Sequence, residues 1–225
     1  MNRFEQALLD YLGATRLDKL TSVRVGIAGA GGLGSNCAAL LVRSGFRRLR
    51  VFDFDKVEPS NLNRQFYFLD QVGRPKVEAL VDNLKRINPD LQLEYSTKAI
   101  TAENVATAFA DCDIVIEALD KAEAKKLLAE AYMNSGKLYI SASGLAGWGD
   151  SDDIRVNQIH DRFFLVGDLR SEAGKDLPPF APRVNVAAAK EADVALSWVL
   201  GDMQGSLRHS AGCQSPETVR HVDNP

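Results

Sequence analysis

The stretch IAGAGGLGSN, residues 27–36, decides the fold, because it joins the apolar run VRVG to a segment rich in Ala and Leu. Gly29, Gly31 and Gly34 fit the pattern G-x-G-x-x-G, in which backbone N–H groups approach phosphate oxygens where a strand turns into a helix. Asp53 follows Gly34 by 19 residues, at the end of the next apolar strand. That spacing is typical of a carboxylate that binds ribose hydroxyls. The stretch therefore predicts a mononucleotide-binding half-sheet, which enzymes that use NAD, FAD or ATP all share.

Apolar strands and helices alternate on both sides of this stretch. Strands are predicted over 23–28, 49–55, 91–97, 113–119 and 137–143, and helices over 2–12, 16–21, 33–45, 75–88, 102–110 and 121–135. This alternation predicts a mostly parallel sheet with helices on both faces. After a glycine-acid loop, the segments 154–160 and 162–167 predict an antiparallel pair, followed by a surface loop over 169–182 and a helix over 184–200. The fold class is thus α/β and Rossmann-like, with a C-terminal antiparallel hairpin extension.

The domain prediction follows from the length and the pattern. With 225 residues and 45% apolar residues, the chain is long enough for one full core. We expect a single domain over residues 1–202, comprising N-terminal helices (1–21), a nucleotide-binding half (22–143), and the hairpin, crossover loop and last helix (144–202). The polar tail, 203–225, is expected to be poorly ordered.

Composition restricts the partners and the compartment. A net charge of −3 argues against nucleic acid as a partner. Cys37, Cys112 and Cys213 are widely spaced and form no CxxC pair, so neither zinc nor a disulfide framework is expected. The N-terminus lacks the features of a signal peptide, and no stretch has the length of a membrane span. These observations predict a cytoplasmic protein.

The segment DFDKVEPSNLNRQF, residues 53–66, distinguishes among the nucleotides. It places Asn61, Arg64 and Gln65 in a loop above the nucleotide, and Lys76 follows on the next helix. Two cations suit a triphosphate better than a nicotinamide ring, because a guanidinium forms charge-assisted bonds with phosphate oxygens.

Each of these residues also has a purely structural interpretation. Lys76 could be an exposed helix lysine, and Asn61 and Arg64 could belong to a solvated loop. Asp120, at the carboxyl end of the strand IVIEAL, lies where open α/β sheets bind ligands, but it could equally be a helix N-cap. Asp55 either supports Asp53 or is a solvated turn residue.

The motifs GAGGLG, DFDKVEPSNLNRQF and GRPKVEAL, in this order and spacing, resemble those of the ubiquitin-activating superfamily. Over roughly residues 1–200 the chain is most similar to the short, zinc-free branch of the ThiF adenylyltransferases. The resemblance implies ATP and Mg²⁺ as cofactors. It also implies a phosphate loop of Gly29, Gly31, Gly32 and Gly34, ribose binding by Asp53 with Asp55, phosphate binding by Asn61, Arg64, Gln65 and Lys76, and Mg²⁺ binding by Asp120.

The resemblance further implies a reaction and its partners. Such enzymes adenylate the C-terminal Gly-Gly carboxylate of a small ubiquitin-like sulfur-carrier protein of the thiamine type, with release of pyrophosphate. They act as homodimers, in which an arginine of the N-terminal helix, here Arg3, reaches the partner's site. The segment 169–182 contains no cysteine, so we expect no covalent carrier intermediate and a separate sulfur donor.

Other functions remain open at this point. A superfamily member can activate another acceptor, such as a molybdopterin carrier or a tRNA base. An NAD(P)-binding oxidoreductase would account for the glycine loop and Asp53, but it leaves Arg64, Lys76 and Asp120 without a role. A non-catalytic nucleotide-binding partner, like the inactive halves of heterodimeric activating enzymes, is the third possibility.

Overall fold

The computed structural model describes residues 1–201, so the tail predicted over 203–225 lies outside the described residues. The helices are α1 (Arg3–Leu12), α2 (Ala14–Ser22), α3 (Gly32–Arg43), α4 (Lys76–Lys85), α5 (Val105–Ala108), α6 (Ala122–Tyr132) and α7 (Ala181–Leu200). The strands are β1 (Arg24–Ala28), β2 (Arg48–Phe52), β3 (Gln92–Ser96), β4 (Ile114–Glu117), β5 (Leu138–Ala142), β6 (Arg155–His160) and β7 (Phe163–Gly167).

The seven strands form one sheet in the order β3-β2-β1-β4-β5-β7-β6. Every neighbouring pair is parallel except β6 with β7, which is antiparallel. In the central register Val25 lies between Leu49 of β2 and Ile114 of β4. The strand order runs outward in opposite directions from β1 and β4, so the topological switch point lies between these two strands. Open α/β sheets form a ligand crevice at such a point. The predicted α/β fold class is confirmed.

The central strands are buried on both faces, so alternate residues enter two different cores. Ile114 and Ile116 of β4 pack with α2, α3, α4 and α7, whereas Val115 packs with α5 and α6. Small residues of α3, such as Ala38, allow that helix to lie close to α7 and the sheet. The two helical layers thereby fix the strand ends on which the cleft described below is built.

Several predicted boundaries shift in the structure. The helix predicted over 102–110 is only the turn Val105–Ala108, because the Asn104 side chain bonds the backbone of Ala99 and Thr101 and holds this segment as a loop. The last helix begins at Ala181 rather than at residue 184, since a proline in the first turn of a helix costs no hydrogen bond.

Within residues 1–201, none of the helices combines the length and the apolar character needed to cross a bilayer. The cytoplasmic location stays a prediction.

Candidate functional site

A cleft of about 470 Å³ opens at the carboxyl ends of the first four strands. Gly29 follows β1, Asp53 follows β2, Lys98 lies beyond β3 and Asp120 lies beyond β4, and all four residues line this cleft. The topology therefore brings together residues that are far apart in sequence. The cleft occupies the switch point at which ligands bind in this class of sheet.

The glycine turn forms the floor of the cleft. Gly29 has φ +101°, and a Cβ there would lie 2.5 Å from the carbonyl oxygen of Ala118. Gly31 and Gly32 line the cleft, and α3 begins between them with its N-terminus directed at the opening. Gly34 does not line the cleft; it faces the turn from behind, with space for no side chain. Three of the four predicted glycines thus lie at a helix N-terminus suited to an anion.

Asp53 is held in place by backbone N–H groups. The N–H of Ala30 donates to its Oδ2 at 2.6 Å, and the N–H of Asp55 donates to its Oδ1 at 2.8 Å. Burial raises the pKa of Asp53, although these N–H groups and Lys76 oppose the rise. Each carboxylate oxygen retains a further lone pair for a ligand hydroxyl.

Lys76 lies on the cleft wall as the first residue of α4. It is only 6% exposed, so the interpretation as an exposed helix lysine is wrong. Its Nζ donates to Oδ2 of Asp55 at 2.8 Å, and its backbone N–H donates to the Asp55 carbonyl oxygen at 2.9 Å. Asp55 therefore has two functions, because its N–H supports Asp53 and its carboxylate orients Lys76.

Arg64 provides a cation that no carboxylate of residues 1–201 neutralises. Its Nη1 donates to the carbonyl oxygen of Ser60 at 3.2 Å and to Oδ1 of Asn63 at 2.7 Å, and within residues 1–201 it forms no salt bridge. Burial lowers the pKa of Arg64, yet a guanidinium stays charged at any physiological pH. Asn61 shapes the same loop, since its Oδ1 accepts from the N–H of Glu58 at 3.0 Å. A cation bonded only to neutral acceptors is available to an anionic ligand.

Gln65 lines the cleft with a polar atom that lacks a partner. The residue is 8% exposed, and in the described part of the chain its Oε1 accepts no hydrogen bond. A buried amide left without a partner costs about 1–3 kcal/mol, a cost that a ligand donor would remove. The unpartnered amide of Gln65, the guanidinium of Arg64 and the N–H groups of the glycine turn together fit a nucleotide phosphate chain.

Asp120 is exposed in the loop between β4 and α6. The N-cap of α6 is Lys121, so the interpretation of Asp120 as a helix cap is wrong. Its carboxylate forms no hydrogen bond or ion pair with the rest of residues 1–201. In the same range no three His, Cys, Asp or Glu side chains are grouped to hold a metal. Mg²⁺ usually binds through one or two carboxylates together with substrate phosphates, so a lone Asp120 beside a phosphate site fits that ion.

Arg3 lies outside the cleft, exposed at the start of α1. A role of Arg3 in a partner subunit's site therefore stays a prediction.

Several residues of the cleft are not part of the predicted set. Lys98 and Lys121 stand at its rim, and a roof is formed by Leu145, Ala173, Pro179 and Val184. Lys98 could have been inferred, because it follows a predicted parallel strand as Asp53 and Asp120 do. The roof follows no motif, because it combines the loops after β5 and β7 with the first turn of α7.

Arg183 bonds together the two loops from which most of this roof is built. Its Nη1 donates to the carbonyl oxygens of Gly149 at 2.9 Å and Asp150 at 3.0 Å, and its Nη2 pairs with the Asp168 carboxylate. Both partners of this pair are almost fully buried. Burial raises the pKa of Asp168, but the N–H groups of Ser171 and its neighbour, together with Arg183, more than offset this and hold the pKa below the usual value.

Known proteins resemble the chain over most of the segment that builds the cleft. Residues 4–161 match the ThiF family. The chain is 33% identical over 155 residues to tRNA threonylcarbamoyladenosine dehydratase 2 of Saccharomyces cerevisiae, which covers 67% of this chain and 35% of that protein. It is 34% identical over 137 residues to ubiquitin-like modifier-activating enzyme 5 of Xenopus laevis, covering 56% and 34%. The chain thus spans about a third of the length of these curated relatives.

Solved structures share the architecture. The tRNA N6-threonylcarbamoyladenosine dehydratase of E. coli, in complex with AMP, aligns with a TM-score of 0.78 at 20% identity, covering 88% of this chain and 95% of that one. At that identity the likeness shows the fold alone. E. coli MccB with ATP aligns with a TM-score of 0.65 at 25% identity, covering 88% and 64%.

These relatives do not single out the thiamine-type branch, because a tRNA dehydratase and a modifier-activating enzyme resemble the chain about equally. The family itself is clear. Since its match extends over residues 4–161, more than half of the sequence, this chain belongs to the ThiF family.

Proposed function

We propose that the protein binds ATP with Mg²⁺ and transfers the adenylyl group to a carboxylate of an acceptor, with release of pyrophosphate. One observation carries this proposal: Arg64 and Lys76 converge with the glycine floor and Asp53 on a single cleft. An oxidoreductase with a neutral nicotinamide ring would leave the unneutralised guanidinium without a partner.

Different residues of the cleft would bind the ribose, the phosphates and the metal ion of the nucleotide. Asp53 would accept hydrogen bonds from the ribose, and Arg64 and Lys76 would neutralise the phosphates. Asp120 would hold Mg²⁺, which supplies further charge neutralisation when it is bound. An acceptor carboxylate oxygen attacks the α-phosphorus, and the bond to the β-phosphate oxygen breaks as pyrophosphate leaves. A carboxylate at neutral pH needs no general base, so the protein acts by positioning and electrostatic stabilisation.

We infer that the acceptor is a modified tRNA base with a free carboxylate, such as threonylcarbamoyladenosine. A curated relative from Saccharomyces cerevisiae and an E. coli structure with a TM-score of 0.78 both carry the name of the dehydratase of that base. Removal of water from such a base is chemically reasonable after adenylation, because AMP is then the leaving group in place of hydroxide. Lys98 and Lys121 at the rim are exposed cations that suit a phosphodiester backbone.

A small ubiquitin-like protein is the second candidate acceptor, and a thiamine-type or molybdopterin sulfur carrier belongs to this class. The observation that favours it is the net charge of −3, which is unusual for a protein that binds RNA. The similarity to modifier-activating enzyme 5 supports it as well.

The test is exchange of labelled pyrophosphate into ATP, measured with Mg²⁺ and one acceptor at a time. We expect exchange with tRNA that carries threonylcarbamoyladenosine and none with unmodified tRNA. Exchange only with a Gly-Gly-ended carrier would replace the RNA acceptor by the protein acceptor. ATP binding without exchange for any acceptor would indicate a non-catalytic partner, and binding of NAD in place of ATP would overturn the proposal.

A matched pair of arginine variants tests the cleft itself. Arg64→Gln should lower exchange about tenfold or more, since a hydrogen bond to a charged group contributes about 1.5–3 kcal/mol. Arg74→Gln removes a surface arginine that pairs with Asp82, and it should leave exchange within about twofold of the wild type.

The proposal includes a homodimer in which Arg3 completes the partner's site. If so, Arg3→Ala and Arg64→Gln would each be strongly impaired alone, and mixing them would create one intact site in each mixed dimer. Random mixing should then restore roughly a quarter of the wild-type activity, because half of the dimers carry one active site of two. No recovery in dimers shown to have exchanged subunits would remove Arg3 from the site.

A further inference from the structure

A fully buried carboxylate lies three residues before Asp120. Glu117 is the last residue of β4, and none of its surface is exposed. It accepts from the N–H of Leu119 at 2.7 Å, from Oγ of Ser141 at 2.6 Å, and from Nζ of Lys125 at 2.8 and 2.9 Å. Such complete bonding is what allows a charge to remain buried, and it places Glu117 at the centre of a fixed cluster.

Lys125 extends this cluster to a third element of the fold. Its Nζ also donates to the carbonyl oxygen of Ala142 at 3.1 Å, at the end of β5. Through Glu117 and Lys125, the end of β4, the first turns of α6 and the end of β5 are bonded to one another. None of the bonded atoms lies in the glycine turn or in the segment that carries Arg64 and Lys76.

The loop 118–121 depends on this cluster for its shape. Two backbone bonds hold its ends: the N–H of Ala118 donates to the carbonyl oxygen of Ala28 at 2.8 Å, and the N–H of Lys125 donates to that of Lys121 at 3.0 Å. Lys121, at the start of α6, provides no side-chain cap, and the Asp120 carboxylate bonds to nothing else within residues 1–201. The Glu117–Leu119 bond is therefore the contact that sets the turn on which Asp120 stands.

We propose that Glu117 and Lys125 are positioning residues, which hold Asp120 at the place where the phosphate-bound cation is needed. This inference rests on the proposed function, because it assigns Asp120 to Mg²⁺. The pair does not touch the cleft directly, so its effect on a ligand must pass through the loop 118–121.

The test compares neighbouring lysines of α6. Lys125→Met removes the partner of the buried Glu117, Lys125→Arg restores a cation, and Lys126→Met removes an exposed lysine that pairs with Glu130. Three quantities are measured on the full chain: ATP affinity by calorimetry with and without Mg²⁺, the exchange rate of the Leu119 amide hydrogen, and pyrophosphate exchange as a function of Mg²⁺ concentration.

We expect Lys125→Met to raise the Mg²⁺ concentration for half-maximal exchange about tenfold or more, as is typical for loss of a residue that orients a metal ligand. The Leu119 amide should exchange at least about tenfold faster. ATP affinity without Mg²⁺ should stay within about twofold, because Asp53, Arg64 and Lys76 are untouched. Lys125→Arg should recover most of the Mg²⁺ dependence, and Lys126→Met should match the wild type.

Several results would overturn the inference. Equal losses of ATP affinity with and without Mg²⁺ would show a general structural defect, and an unchanged Mg²⁺ dependence would show that Asp120 needs no such support. If Lys125→Met does not fold, Glu117→Gln gives the same comparison with an isosteric side chain. A wild-type protein that binds no ATP would refute the proposed function, and the inference with it, whereas ATP binding with unaltered metal dependence would refute the inference alone.

Discussion

Gly34 packs against the backbone of the glycine turn, and the structure allows the loss of stability in Gly34→Ala to be worked out. In Gly34→Ala the new Cβ would lie 1.9 Å from the carbonyl oxygen of Gly29 and 3.2 Å from Cβ of Ala118. The closest atom belongs to the backbone, so no side-chain rotation can relieve the overlap. Helix α3 and the turn must therefore separate by about 1 Å, in an interior with little free volume.

The cost of that separation can be worked out approximately. Overpacking a closed interior costs about 1–3 kcal/mol, and the better helix propensity of alanine offsets up to about 1 kcal/mol. A net loss of about 1–2 kcal/mol lowers the Tm by roughly 2–8 °C in a chain of this size. The rate of pyrophosphate exchange should fall as well, since a 1 Å misplacement at a site can cost about a hundredfold in rate.

Gly31→Ala is the matched control on the same turn. Its Cβ would have a single neighbour, Nε2 of Gln65 at 3.9 Å, and its φ of −78° does not require the left-handed conformation that disfavours alanine. Thermal unfolding of the free proteins should therefore show a Tm within about 2 °C of the wild type for Gly31→Ala and a clear decrease for Gly34→Ala. A Gly34→Ala protein with wild-type Tm and a wild-type rate of pyrophosphate exchange would refute the reasoning.

Three further predictions concern two other groups of the site and one buried thiol of the core. Lys76→Met should lower pyrophosphate exchange at least about tenfold, whereas Lys85→Met, on the exposed side of the same helix, should leave it within about twofold. Arg183→Met should lower the free energy of unfolding by about 3–5 kcal/mol in urea titrations, because it leaves the Asp168 carboxylate buried without its partner. Burial raises the pKa of Cys112 to about 12, so at pH 8 its alkylation should be about a thousandfold slower in the native protein than in urea. Mass spectrometry measures both rates, and equal rates would show that the thiol is accessible.

Hydrophobic patterning predicted the sheet because each central strand is buried on both faces. A run such as IVIEAL can satisfy two cores only between two helical layers, and Ile114 and Val115 indeed enter different cores. The patterning failed where a single side chain competes with the backbone. Asn104 holds a loop where a helix was predicted, and that choice depends on carbonyl and N–H groups that lie close only after folding.

Some features of the candidate site could likewise be predicted from the sequence, and others could not. Asp53 could be predicted from its spacing after the glycine turn, whereas Arg64 and Lys76 could be predicted because the motifs DFDKVEPSNLNRQF and GRPKVEAL resemble those of a known family. The burial of Lys76 and its bond to Asp55 could not, since they depend on how the chain folds back after residue 66. Arg183 carried no signal at all, because its partners are two carbonyl groups and one carboxylate from separate loops.

The division between floor and roof also explains why relatives with different acceptors match this chain equally well. The family match ends at residue 161, so it includes the glycine turn, both cations and Asp120, all of which would handle the nucleotide. Three of the four roof residues, Ala173, Pro179 and Val184, lie beyond that limit together with Arg183, whereas Leu145 lies within it. In the proposed reaction the acceptor would approach the nucleotide beside this roof. We therefore propose that the segment after residue 161, which lies beyond the family match, contributes to the choice between a tRNA base and a protein tail.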